Sequence, residues 1–188
     1  MAAHRSTASH VSGLPQDRLD AVALVERLFS VFSLIGSAFI FTTFFLSPRF
    51  RKPINRLIVW ASVGNVLVTI ATFISVSGME AGATSALCHS QAFLIQFLLP
   101  ADSFWSLAMA TNVYLTFFKG YDANGLRRLE KWYAGLCYGL PFTVAVIYVI
   151  VDATLNEPIY GPAVIWCWVS KRFEWMRLAF FYGPVWYV

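Results

Sequence analysis

The sequence predicts an all-α fold: a transmembrane helix bundle with four complete spans and the start of a fifth. Three observations predict it. Residues 28–46, 57–76, 93–118 and 132–151 are long apolar runs with almost no charge, and a spanning helix needs about 20 mostly apolar residues. The chain is 58% hydrophobic and only 13% charged, which separates it from ordinary soluble domains. Lysine and arginine gather in the short loops between the runs, the pattern that orients membrane helices. Lipid offers a backbone amide no partner, so each run must satisfy itself as a helix.

In chain order, residues 1–21 are polar and are expected to form a disordered extracellular tail. They lack the apolar core of a signal peptide, so the first helix serves as its own insertion signal. Residues 22–188 form the membrane domain, with spans expected at about 24–46, 57–77, 89–118, 132–151 and 173–188. Pro48 and Pro53 punctuate the first loop, because proline cannot continue a helix interior. Pro100 frees backbone groups and is expected to kink the third helix. Asn124-Gly125 marks a turn in the third loop. Trp132, Tyr133, Trp166 and Trp168 stand where interfacial aromatic belts are expected. Ser33 with Ser37, and Gly135 with Gly139, have the small-residue spacing that lets helices approach closely within the monomer.

Loop charge sets the orientation. The loop 47–56 carries Arg49, Arg51, Lys52 and Arg56 and no acid, and the loop 119–131 carries Lys119, Arg127, Arg128 and Lys131 beside Asp122 and Glu130. The loop 77–87 has Glu80 and no base. The first and third loops therefore face the cytoplasm and the N-terminus lies outside, as expected of a multi-pass plasma-membrane protein. The net charge of +4 is a topology signal on this reading, not a sign of nucleic-acid binding. Cys88 and Cys167 both fall on the outer, oxidising side, where disulfides persist. A bridge between them would pin the loop 152–170 over the third helix; the alternative is two unpaired thiols. Cys137 lies inside the fourth span as a small buried residue.

Polar residues inside the spans are the functional candidates. Asp102 stands near the middle of the third helix, where an ionised Asp costs about 2.5–3.5 kcal/mol to insert. Ser106 shares its face at i+4, and Gln96, Ser103 and Asn112 extend a polar stripe. Asn65, with Ser62 and Thr69 nearby, is either structural glue between helices two and three or part of a pocket. No metal, cofactor or catalytic constellation is visible: there is no H-E-x-x-H, phosphate-loop or G-x-S-x-G motif. No enzyme activity is expected.

Longer motifs carry a family resemblance. R-F-R-K-P-I-N-R-L (49–57), Q-A-F-L-I-Q (91–96), N-V-Y-L-T-F-F (112–118), W-C-W-V-S (166–170) and F-F-Y-G-P-V-W (180–186) resemble the cyclic-AMP-receptor-like group of fungal and slime-mould G-protein-coupled receptors. The D-R-Y triplet of rhodopsin-like receptors is absent, since Asn112-Val113-Tyr114 follows in the third helix. The resemblance implies a seven-helix receptor that senses an extracellular signal and activates a heterotrimeric G protein. An extracellular small molecule would then bind among helices two to five under the pinned loop, with Asn65, Asp102, Trp105 and Trp168 as candidate contacts. Arg51, Lys52, Lys119, Tyr121, Arg127 and Arg128 would be candidate contacts with the G protein.

Residues 178–188 span roughly 16 Å of helix, about half a bilayer. The resemblance therefore implies the N-terminal portion of such a receptor, not expected to signal alone. Two other functions fit the same runs: a transporter or channel component with a polar path along the third helix, and a non-signalling partner of full-length receptors.

Overall fold

The computed structural model describes residues 15–75, 77–154, 159–163 and 165–187. Helix α1 is Gln16–Leu46, α2 is Pro53–Ile74, α3 is Ala86–Lys119 and α4 is Ala123–Thr154. All four are long and apolar enough to cross a membrane. Each starts or ends beyond its expected span, because the helix continues past the apolar window into polar flanks. The expected tail lies outside the described residues up to position 14, and its end, from Gln16, opens α1. A short antiparallel ribbon, β1 (Tyr160–Pro162) and β2 (Cys167–Val169), follows α4. The pieces Glu174–Arg177, π-helical Leu178–Tyr182 and Gly183–Tyr187 then run on as a last helix, α5 (174–187).

Local chemistry sets the helix ends. The Ser85 side chain accepts the Cys88 amide at 3.1 Å and starts α3, as serine does at N-caps. Gly120 ends α3 with φ of 65°, a left-handed cap that costs glycine nothing. Helix α2 opens on Pro53, whose missing amide is no loss in a first turn. It stops at Ile74, short of the expected 77, because Ser75 turns the chain at φ of 47°. The third loop also differs from expectation. Asp122 Oδ1 accepts the Gly125 amide at 2.8 Å, so Asn124-Gly125 lies in the first turn of α4 instead of an open turn. Arg127 and Arg128 are therefore helical. Helix α3 continues without a break through Pro100.

α3 packs against α2 on one side and α4 on the other, and α1 lies against α2. At the disulfide end, the outer one on the expected orientation, the core gathers Ala71, Ala92, Ile95, Tyr148, Trp168 and Phe181, among others. A separate core toward the other end, the inner one on that expectation, holds Leu57, Trp105, Ala108 and Cys137. Much of the apolar surface faces outward: Phe29, Phe32 and Phe39 on α1 are each 68% exposed. Water does not tolerate a patch of that kind on a stable fold, whereas lipid does.

Of the two small-residue pairs, Ser33 and Ser37 do bring helices together, since both accept from the Asn65 amide, at 3.0 and 3.1 Å. Gly135 and Gly139 do not; a Cβ on either would meet nothing within 4 Å. The close approach of α4 is made at Gly64 of α2, whose amide donates to the Tyr138 hydroxyl at 3.1 Å. Trp132 is 78% exposed and suits an interfacial belt, but Trp168 is buried at 5% and does not.

Cys88 and Cys167 are disulfide-bonded, with Cα atoms 5.2 Å apart across 79 residues of sequence. The bridge ties β2 to the first turn of α3. Removing a bridge that closes so long a loop costs on the order of 2–4 kcal/mol. Cys88→Ser, Cys167→Ser and the double variant are therefore expected to lower thermal stability and surface delivery equally; additive losses would contradict a shared bond.

Candidate functional site

The outer end is built on α3. Gln91 is fully buried and uses its whole amide. Nε2 donates to the carbonyls of Ala71 and Ser75, each at 3.0 Å, and Oε1 accepts the Cys167 amide at 3.0 Å. One side chain thus joins the end of α2, the top of α3 and strand β2. Gly78 leaves the room for it, since a Cβ there would stand 2.2 Å from Gln91 Oε1. One turn and a half further down, Gln96 Oε1 accepts the Trp168 indole N–H at 3.0 Å. The Arg177 guanidinium lies 4.8 Å above the Trp168 ring, and Phe181 meets its edge at 4.6 Å. Arg177 also donates to the Val169 carbonyl.

A second clamp holds the ribbon from α4. Asp152 Oδ1 accepts the amides of Ile159 and Tyr160, and Oδ2 lies 3.2 Å from His89 Nε2. His89 Nδ1 faces the Ser85 carbonyl at 3.0 Å. Both ring nitrogens face acceptors, so both contacts are hydrogen bonds only when each nitrogen carries a proton. The result is a lid of two strands fixed to α3 by a disulfide, a glutamine and a histidine. Two donors beneath it, Gln96 Nε2 and Arg177 Nε, are buried without a partner among the described residues. Buried donors of that kind are costly unless something accepts from them.

The inner end has a clasp and a cavity. Arg56 grips Glu130 with two nitrogens, at 2.7 and 3.0 Å, and the Trp60 indole donates to the same carboxylate at 2.8 Å. This joins the starts of α2 and α4. A cavity of about 360 Å³ lies alongside, lined by Lys52, Pro53, Asn112, Val113, Phe117 and Tyr121 among others. Its walls are mainly apolar, and Asn112 Oδ1 is buried there without a partner among the described residues.

The four expected ligand contacts do not form one pocket. Asn65 turns to α1 and lines a cleft of about 300 Å³ between α1 and α2. If it is glue, it joins helices one and two, not two and three, because its amide reaches Ser33 and Ser37. Trp105 is buried in the inner core, edge-on to Tyr138 at 5.4 Å. Asp102, just under one turn before Trp105 on α3, is exposed. Gln96 and Asn112 are buried, Ser103 is half-buried, and Asp102 and Ser106 are exposed; Gln96 and Asn112 stand about 160° apart around α3 at 100° per residue, so the expected polar stripe is not one continuous face. Only Trp168 belongs to the lid.

Among the six expected G-protein contacts, Lys52 and Tyr121 share the inner cavity. Arg51 caps α1 by donating to the Phe45 carbonyl at 2.8 Å, Arg127 lines a separate groove, and Lys119 and Arg128 are exposed. Sequence reasoning gave no role to Gln91, Asp152, Glu130 or Arg177. Gln91 and Gln96 stand as two polar residues in an apolar helix, and that signal was available.

A membrane helix bundle with a disulfide-pinned lid at one end and an open cavity at the other has the form of a receptor of the G-protein-coupled type. The family model described as slime mold cyclic AMP receptor matches residues 15–188, and the chain belongs to that family, a family of receptors and not of enzymes. The slime-mould part of the expected grouping is thereby met. Among relatives, cyclic AMP receptor 4 of Dictyostelium discoideum is 30% identical over 156 residues, covering 81% of this chain and 33% of the relative. Cyclic AMP receptor-like protein A of the same organism is 20% identical over 166 residues, covering 88% and 42%. G-protein coupled receptor 157 of Rattus norvegicus is 27% identical over 176 residues, covering 92% and 52%. The chain thus spans between a third and a half of the length of these relatives.

Two outcomes test the polar clamps. Gln91→Leu strips partners from three buried backbone groups, each worth about 1–3 kcal/mol; a thermal-shift measurement should show a clearly larger loss than Gln96→Leu, and equal losses would contradict the keystone role. Glu130→Gln keeps shape but weakens charge-assisted bonds, for an expected loss of about 1–2 kcal/mol. Combined with Trp60→Phe it should be less than additive; full additivity would mean that the three side chains do not act as one unit.

Proposed function

We propose that this chain is the ligand-sensing and part of the transducing portion of a G-protein-coupled receptor. It would sense an extracellular small molecule and activate a heterotrimeric G protein. The observation that carries this reading is α3 itself: one helix bears the pinned lid at one end and lines the inner cavity at the other. A ligand that prefers one arrangement of the lid shifts the helix population, by no more than its affinity difference between states. Trp168, backed by Gln96 and Arg177, is the strongest ligand contact on this reading. Asn65, Asp102 and Trp105 would act from neighbouring faces. The relatives' names make cyclic AMP the first agonist to try.

The basic ends of α2 and α4 lie in the cytoplasm in this proposal, with the N-terminus and the lid outside the plasma membrane. Basic residues near the membrane face the anionic leaflet, which attracts about 1 kcal/mol per charge. Lys52 and Tyr121 would meet the G protein in the inner cavity, with Arg51, Lys119, Arg127 and Arg128 at its rim. A transporter or a silent receptor partner would not need that cavity to engage a nucleotide-binding protein.

The full-length polypeptide is expected to accelerate GDP release from a Gα subunit in membranes, and Lys52→Glu with Tyr121→Ala should cut the rate roughly tenfold, the equivalent of about 1.4 kcal/mol of contact. Surface amount must stay unchanged. Absence of any acceleration, with or without agonist, would contradict the proposal.

A further inference from the structure

We propose that the groove between α2 and α4 at the basic end of the bundle binds the phosphate headgroup of an anionic phospholipid. The leaflet, the inner one, follows from the orientation proposed above; the site itself does not depend on it. The groove encloses about 590 Å³ and is lined by Arg56, Trp60, Arg127, Glu130, Lys131 and Ala134.

Charge bookkeeping leaves this groove positive. Both oxygens of Glu130 are engaged by Arg56, and one also accepts from Trp60. Asp122, the other acid nearby, caps the Gly125 amide. Neither Arg127 nor Lys131 is in the Arg56–Glu130 salt bridge; Arg127 feels the Glu130 charge only at longer range, which leaves three cations to one acid in the groove. Arg127 and Lys131 stand four residues apart on α4, hence on one face, where like charges repel. An anion set between them relieves that repulsion, and a phosphate oxygen is a good acceptor for both arginine and lysine.

The groove also has the polarity gradient of a lipid. Along α4 toward the bilayer, Arg127 and Lys131 give way to Ala134, whose small side chain leaves room for the glycerol and first acyl carbons. Trp60, 41% exposed, presents the body of its indole on the α2 side while its N–H is held by Glu130. Trp132, next along α4 and 78% exposed, marks the interfacial level. A soluble phosphate would use only the charged half. The groove shares no lining residue with the inner cavity, so a lipid there leaves the cavity itself open. It would brace the Arg56–Glu130 clasp from outside.

The test uses the full chain in mild detergent, with phosphatidylinositol 4-phosphate or phosphatidylcholine added and retained lipid counted by native mass spectrometry. Phosphatidylinositol 4-phosphate should be retained in preference to phosphatidylcholine. The double variant Arg127→Gln, Lys131→Gln should weaken its retention roughly thirtyfold, the scale set by two lost basic charges. The control double variant Lys119→Gln, Arg128→Gln has the same net charge and should retain it. The swap Arg127→Lys, Lys131→Arg should also retain it, which guards against a folding defect, as does an intact Cys88–Cys167 bridge. Equal weakening by the two double variants would overturn the site, because only total charge would then matter. Equally tight binding of water-soluble inositol 1,4-bisphosphate would overturn the lipid assignment in favour of a free phosphate ligand. No agonist or G protein enters the readout, so its failure is distinct from failure of the receptor proposal.

Discussion

A polar group inside lipid must find its partner within the chain, and that constraint organises this molecule. Most of the backbone meets it by being helical. The difficulty falls where helices stop: at Ser75, where α2 turns at a positive φ, and at the ribbon that follows α4. Gln91 answers both at once. It bonds to two carbonyls at the end of α2 and to the Cys167 amide in β2. The disulfide beside it fixes the same strand to the same helix turn. α3 is therefore the axle of the structure, and the lid is a part of its outer end.

The inner end follows the same logic with charge. Glu130 is buried at 8% and is tolerable there because Arg56 and Trp60 fill its acceptor sites. Arg51 finds the last carbonyls of α1, where a cation also suits the helix dipole. Among the described residues, the buried polar atoms left without a partner are Gln96 Nε2, Arg177 Nε and Tyr160 Oη at the lid, Asn112 Oδ1 at the inner cavity, and Trp105 Nε1 in the core beside Cys137.

The helices and the disulfide were legible in the sequence because their signals are long or topological: twenty apolar residues in a row, and two cysteines assigned to one side by loop charge. The first two loops showed themselves through proline and through the lack of positive charge. The third loop misled, because Asn124-Gly125 reads as a turn unless Asp122 is seen capping it. The candidate site was less legible. Asp102 drew attention as a charge in a span, yet it lies exposed while Gln96 and Asn112 are buried. At roughly 100° per residue, six positions are enough to change faces, and spacing alone does not say which face meets a neighbour. Trp168 was placed in an interfacial belt by its type, but the lid folds it inward over α3. Pairings such as Arg56–Glu130, 74 residues apart, leave no local pattern at all.

The central claim is that the two polar ends face opposite compartments, lid outside and clasp inside. The most direct test is the side on which the first turn lies. Cysteines placed singly at Arg49 and at Thr84, both exposed, are exposed in intact cells to a maleimide that does not cross membranes. The account predicts labelling at Thr84→Cys in intact cells and at Arg49→Cys only after permeabilisation. Labelling at Arg49→Cys in intact cells, with Thr84→Cys protected, would contradict it.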